Sequence, residues 1–328
     1  MQSIETKVSL RILTMILLSV ILVCLATGCT TEGLRKPVPR PDIPEEISRG
    51  PGKEPRIKVF VTETKTIQEM PLEEYVMNTV AGEMKNWFPP EALAAQAILA
   101  RTYTLRFVEI KKHSDLNPSA HISTSFEEAQ AWNPDNVNNR VRSAVQATQG
   151  KVVVYGGRYI NAWFHSHAGG LTATAKEGLN YEYPEPPYTQ VVRSGEGPTA
   201  PKEFNRWRAV FTKQEVVRAF QKIGTQPGDF SSITVSQRGP SGRAVRIRAG
   251  SAEVHAADLR TALGSTEMKS TMLTSARVEG DKVILEGKGF GHGVGMSQWG
   301  ALEMARRGKN AEEIIRHYFK NVDIVKLW

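Results

Sequence analysis

Glu83 is a carboxylate on what reads as the apolar face of a helix. Wound at 3.6 residues per turn, the stretch after Pro71 places Leu72, Tyr75, Val76, Thr79 and Val80 on one stripe. Glu83 follows Leu72 by eleven residues, about three turns, and falls near the middle of that stripe, whereas Glu73 and Glu74 lie off it. A carboxylate removed from water tends to keep its proton, which raises its pKa toward what a general acid needs near neutral pH. The competing reading is structural: at the helix edge Glu83 could turn to solvent or pair with a Lys or Arg.

Arg101 lies in a second helical stretch, apolar on nearly every face, where a buried arginine must be paired or must hold a ligand. A structural ion pair with a carboxylate of the first helix competes with a functional role. Further along, FHSHAGG sets His165 and His167 at strand spacing, hence on one face. Two such histidines bind a metal only with a third ligand in suitable geometry. The other conspicuous stretch is GKGFGHGVGMSQWGALEMARRG, Gly287 to Gly308, with five glycines alternating from Gly287 to Gly295. It has no GxGxxG register and no terminal GK[ST], so it is not a phosphate loop. It reads as backbone held close to something flat or bulky, with His292, Ser297, Gln298 and Trp299 around it. Polar groups beside an exposed aromatic suit a sugar ring; the structural alternative is a tight turn whose histidine caps a helix. Ser297 is a poor nucleophile, since no GxSxG elbow surrounds it.

These residues need a scaffold. Pro71 to Phe107 predicts two helices joined by a short turn, the second starting after Pro89-Pro90 and forming a central buried helix. Two short strands, 57–62 and 66–70, precede it. Residues 137–148 predict a helix stopped by Gly150, and 151–155 with 158–166 a hairpin turning at Gly156-Gly157. Residues 179–201 are a Pro/Gly-rich loop long enough to border a cleft. Helices are expected at 211–223 and 255–263, strands within 232–248, a hairpin at 276–285 and helices from about Met296 and at 311–319. The alternation implies a mixed α+β domain with a smaller inserted lobe at about 200–275.

The 328 residues are 40% apolar and 23% charged, a globular balance, and the net charge of +8 favours a polyanionic partner. Nucleic acid is the weakest candidate, as no basic run, zinc finger or RNA-recognition signature is present. Both cysteines, Cys24 and Cys29, lie near the N-terminus, so no disulfide or cysteine–zinc framework supports the fold. Lys7 and Arg11 precede an uncharged run, Ile12 to Thr31, which reads as an export segment with its positive flank inside. Its end, Leu25-Ala26-Thr27-Gly28-Cys29, resembles a bacterial lipobox in which Cys29 is lipidated; an uncleaved anchor is the alternative. Either way the domain is expected to be tethered outside the cytoplasmic membrane. Residues 30–56, with six prolines, read as an extended linker to a domain spanning 57–328.

EEYVMNTVAGEM, FPPEALAAQAILARTY, FHSHAGG, PPYTQVV and GHGVGMSQWGA, in that order, strongly resemble the stage II sporulation protein D (SpoIID) family, which includes amidase enhancers of the LytB type. The likeness covers roughly 57–328. It implies a lytic transglycosylase that cleaves the MurNAc–GlcNAc bond of peptide-stripped peptidoglycan glycan strands and leaves 1,6-anhydro-MurNAc ends. The family's catalytic acid, in its GEM motif, falls on Glu83, and its functional arginine on Arg101. Substrate-binding positions fall on His165, Ser166, Tyr188, His292, Ser297 and Gln298. Zinc-bearing members carry a cysteine–histidine cluster where this chain reads HISTSFEEAQAW, with Ser123, Glu128 and Ala129 at the expected ligand positions. No structural zinc and no cofactor are therefore expected.

The resemblance implies a mechanism with one carboxylate: Glu83 protonates the leaving oxygen, the MurNAc 6-hydroxyl attacks its own C1, and Glu83 takes the hydroxyl proton. Two other classes compete. One is a non-catalytic wall-binding module that enhances a separate cell-wall amidase. The other is a metal hydrolase built on His165, His167 and His292.

Overall fold

The computed structural model describes residues 38–328. The export segment, the lipobox and Cys29 lie outside the described residues. Among those described, no helix is long and apolar enough to cross a membrane.

Strands β1 (Arg56–Val61) and β2 (Thr66–Pro71) form an antiparallel hairpin that runs directly into α1 (Leu72–Glu83). Pro71 begins that helix, and Pro89 and Pro90 begin α2 (Pro90–Lys111), where a missing N–H costs nothing. Helix α2 is the spine of the molecule. Leu93, Ile98, Leu99, Ala97 and Ala100 are all solvent-free, so it is buried around most of its circumference. Its small alanines let α1 and α3 (Asn139–Ala147) approach on one side, and β4 (Lys151–Tyr155) on another. Thr102 accepts the Val153 N–H at 2.9 Å, so a helix hydroxyl ties α2 to β4 and satisfies a strand donor that short β5 does not reach.

The α+β class is as expected, with several small sheets. Strand β3 (Ile122–Ser123) pairs in parallel with β1. Strand β4 lies between β5 (Arg158–Tyr159) and the C-terminal β14 (Asp323–Lys326). The predicted second hairpin arm, 158–166, is two elements. It breaks after Tyr159, and β6 (Phe164–His165) pairs instead in parallel with β13 (Met296–Ser297). The short helices α4 (Ala175–Leu179) and α5 (Lys202–Asn205) bracket the long loop.

Two further sheets follow. One is ordered β11 (Leu273–Glu279), β12 (Lys282–Gly287), β7 (Trp207–Thr212); the other is β10 (Ala252–His255), β9 (Ala244–Ala249), β8 (Ile233–Arg238). With α6 (Lys213–Lys222) and α7 (Ala256–Leu263) they enclose a hydrophobic cluster including Trp207, Phe211, Phe220, Ile247 and Leu285. The chain returns through α8 (Gln298–Arg306) and α9 (Ala311–Tyr318), both packed on α2.

The proline-rich segment differs from the expected free linker. From Pro39 it lies on the domain, with Pro44, Ile47 and Pro55 buried and the Tyr159 hydroxyl donating to Asp42 O at 3.1 Å. Its few apolar residues, Ile47 above all, find a hydrophobic seat that polar loop residues would not.

Candidate active site

Glu83 ends α1, and the carboxyl group is held from two directions. The Ala131 N–H donates to Oε1 at 2.7 Å, and the Gln298 side-chain amide donates to Oε2 at 3.2 Å. The residue as a whole is half-buried, yet its carboxyl is well shielded from water. Burial pushes its pKa up to about 7, against the opposing pull of the two hydrogen bonds. The buried position thus has the consequence expected of it: a carboxyl that keeps its proton up to about neutrality, where it is about half protonated.

Gln298 reaches this position because α8 starts beside α1. Ser297 caps α8 by accepting the Gly300 N–H at 3.2 Å, and β13 is fixed by its pairing with β6. Trp299, expected as an exposed sugar platform, is only 7% exposed, because it packs against Phe88 and Trp87. The aromatic exposed beside it is Trp87, at 46%, in the turn between α1 and α2. Trp87, Phe88 and Trp299 form an edge-to-face cluster with ring centroids 4.9–6.1 Å apart. Trp87 is thus held four residues from the acid and remains about half exposed. Sequence reasoning passed over it; the signal was a tryptophan in a turn, NWFPP, where nothing in the helix pattern demands one.

Arg101 is corrected to a structural role. The side chain is fully buried and grips Glu73 with two hydrogen bonds, Nε to Oε1 at 2.9 Å and Nη2 to Oε2 at 2.5 Å. Its Nη1 donates to Lys151 O at 2.9 Å, and Glu73 also accepts the Gly150 N–H at 3.0 Å. Glu73 and Glu83 are ten residues apart on one helix, about 15 Å along its axis, so Arg101 clamps the end opposite the acid. The ion pair with a first-helix carboxylate is the outcome, and Glu73, off the apolar stripe, is nevertheless buried by it.

The remaining candidates divide. Gln298 alone touches Glu83. The Ser297 hydroxyl donates to Glu196 at 2.8 Å, and the Ser166 carbonyl accepts the Trp299 N–H at 3.1 Å. Both therefore shape the start of α8 from behind. His165 donates from Nδ1 to Val294 O at 3.1 Å, while His292 accepts the Val294 N–H at 3.0 Å, and the two rings lie 5.6 Å apart. Burial holds both imidazoles well below their usual value, His292 at about 3, so both are neutral. Tyr188 is committed to packing: its hydroxyl accepts the Asn161 N–H at 2.8 Å, and its ring meets Tyr155 and Phe319.

The alternating glycines do lie close to something flat, but it belongs to the protein. Gly293 has φ +86°, and a Cβ there would meet the Arg243 guanidinium carbon at 2.5 Å. Arg243, fully buried, donates from Nη1 to Leu171 O at 2.7 Å and from Nη2 to Ala168 O. It bolts the lobe carrying β8 and β9 to loop 168–173.

Among the described residues, no group of three His, Cys, Asp or Glu side chains is arranged to hold a metal. Ser123 accepts the Ser125 N–H, and Glu128 is engaged with Ser114. Another enclosed carboxylate, Glu196, accepts the Ala168 N–H at 2.6 Å and the hydroxyls of Ser194 and Ser297.

The chain is similar to several known proteins. A family model described as Stage II sporulation protein matches residues 61–155, which include Glu83 and Ala131. A model of a domain of unknown function (DUF8618) matches 181–295. Stage II sporulation protein D of Bacillus amyloliquefaciens is 32% identical over 297 residues, covering 83% of this chain and 81% of that protein. The protein of the same name from Bacillus subtilis (strain 168) is 31% identical, covering 82% and 78%. The Amidase enhancer of Bacillus subtilis is 26% identical, over 73% of this chain and 39% of that protein.

Proposed function

This chain belongs to the stage II sporulation protein D family, and from that premise we propose that it is a lytic transglycosylase of peptide-stripped peptidoglycan glycan strands, with a role in cell-wall remodelling during sporulation. The observation that carries the reading is Glu83: one enclosed carboxyl, its pKa pushed up to about 7, four residues from the half-exposed Trp87. Protonated Glu83 gives its proton to the glycosidic oxygen of the leaving GlcNAc. The MurNAc 6-hydroxyl attacks C1 of the same ring, closing the 1,6-anhydro bond as the C1–O bond to the leaving sugar breaks. Glu83, now ionised, accepts the hydroxyl proton and is reset.

A hydrolase would need a second free carboxylate, as base or nucleophile. Glu196, which accepts the Ser297 hydroxyl from 101 residues away, is already engaged by three donors, which favours the single-carboxylate route. Trp87 offers its exposed face to a sugar ring, and Gln298 keeps the acid aligned without adding charge. Export and attachment to the outer face of the membrane, through Cys29 or an uncleaved segment, would put the domain beside its substrate.

A second reading draws on the relative named Amidase enhancer: a non-catalytic glycan-binding module that stimulates a cell-wall amidase. Mass spectrometry of products from peptide-free glycan strands separates the two. Anhydro-ended fragments from the wild type and none from Glu83→Ala support the transglycosylase. Reducing-end fragments would mean hydrolysis, and bound but uncut glycan with both proteins would favour the enhancer.

A further inference from the structure

The segment from Ile122 to Asn133 is a strap across the end of α1. It enters through β3, with the Thr124 N–H on Phe60 O at 3.0 Å, and leaves with the Asn133 N–H on Asn78 O at 2.9 Å. Between these points it has little regular structure and only one direct bond to the acid, from the Ala131 N–H. Two features hold that N–H in place. Glu128 accepts both from the Ser114 hydroxyl, at 2.8 and 2.9 Å, and from the Asp115 N–H at 2.5 Å. Its own backbone carbonyl accepts the Tyr103 hydroxyl at 3.4 Å. Gly82, next to the acid, supplies the space: a Cβ there would stand 2.6 Å from Trp132 N and 2.7 Å from Ala131 C, both backbone atoms that cannot swing aside.

We propose that Gly82 and Glu128 are positioning residues that hold the Ala131 N–H on Oε1 of Glu83 and thereby place the transferable proton on Oε2. A carboxylic acid's carbonyl oxygen is its better acceptor, so a fixed N–H at Oε1 makes that oxygen the carbonyl. Oε2 then carries the hydrogen, while the Gln298 amide N–H donates to a lone pair of that same oxygen and leaves the hydrogen free for transfer. The strap thus decides which oxygen acts as acid, and the same N–H stabilises the ionised form after transfer. The titratable groups that face Glu83 are Tyr75 on α1 and Tyr103 on α2. Both are held protonated by burial, Tyr103 at about 12, so neither competes for the proton in this range.

The catalytic consequence rests on Glu83 being the acid, so the test reads the carboxyl itself as well as turnover. Carbon NMR of the side-chain carboxyl would follow the Glu83 titration in the wild type, Gly82→Ala, Glu128→Gln and Ser114→Ala. Loss of the N–H should raise the midpoint by about one pH unit in Gly82→Ala. Glu128→Gln and Ser114→Ala, milder and with the glycine intact, should raise it by less. On peptide-free glycan, kcat should fall with KM little changed, and the alkaline limb of the rate profile should move upward with the midpoint. Unchanged midpoints in all three variants would overturn the proposal, whatever their melting temperatures. If the wild type cuts no glycan yet the midpoints shift, the strap stands and the transglycosylase reading falls.

Discussion

Gln298 donates its side-chain amide to Oε2 of Glu83 at 3.2 Å, joining residues 215 positions apart. The contact brings the start of α8 to the end of α1, so the candidate acid is complete only when both ends of the domain have closed around α2. It is also an uncharged contact. A cation at this place would hold the carboxyl low, whereas an amide aligns it and leaves burial in control.

Replacing Glu83 with Gln should abolish anhydro-product formation while glycan binding persists, because the amide keeps the shape and loses the proton. Product mass spectrometry alongside a glycan pull-down checks both halves. Full activity in Glu83→Gln would remove Glu83 from the chemistry.

The raised pKa also fixes two pH dependences. The acid works while protonated, so activity should decline as pH rises through about 7. For stability the sign follows from linkage: the folded-state pKa lies above the unfolded value, so the protonated form favours the fold. That contribution is fully present below the ordinary carboxyl pKa and is lost as pH rises through about 7. At pH 8 the ionised carboxyl costs the fold on the order of 2–3 kcal/mol. Glu83→Gln should therefore melt higher than the wild type at pH 8 and about equally at pH 5. A variant less stable at both would contradict the raised pKa.

The legible part of this site was the part carried by local periodicity. A carboxylate at a position that α1 must bury shows itself on a helical wheel, and so did its chemical consequence. The α1–α2 pair and β1–β2 were equally readable, because each is framed by prolines or by a short turn. Long-range partners were not. Nothing in the sequence says that Glu73, off the apolar stripe, is the carboxylate that Arg101 finds, or that Ala131 rather than a side chain meets Glu83. The glycines after Gly287 were read as making room, which they do, but for Arg243 rather than a sugar. Close approach is visible in a sequence; the identity of what approaches is not.

Trp87 should matter to substrate and hardly at all to the fold. Its exposed face can stack on a pyranose ring, and its other contacts, with Phe88 and Trp299, are edge contacts at the rim of the core. Trp87→Ala is expected to weaken glycan binding by about tenfold, in line with an aromatic contact of roughly 1–1.5 kcal/mol. Its melting temperature should fall only slightly. Intrinsic tryptophan fluorescence should also lose its glycan-induced change in this variant. Retention of both affinity and fluorescence response would place the sugar elsewhere.

Arg101 should behave in the opposite way. Its guanidinium, with no exposed surface, satisfies Glu73, which also holds the Gly150 N–H at the entry to β4. Truncation to Ala strands a buried carboxylate and removes the tie between α1, α2 and β4. The expected loss is about 3–5 kcal/mol, typical of breaking one side of a buried pair. Arg101→Lys retains the charge but not the two-pronged geometry, so it should be destabilised by less and remain folded at low temperature. In that folded Arg101→Lys protein, the pH profile of any activity should match the wild type, because Arg101 acts at the far end of α1. Denaturant unfolding measures the first effect and the rate profile the second. A shifted profile in a stably folded Arg101→Lys would show that the arginine reaches the chemistry after all.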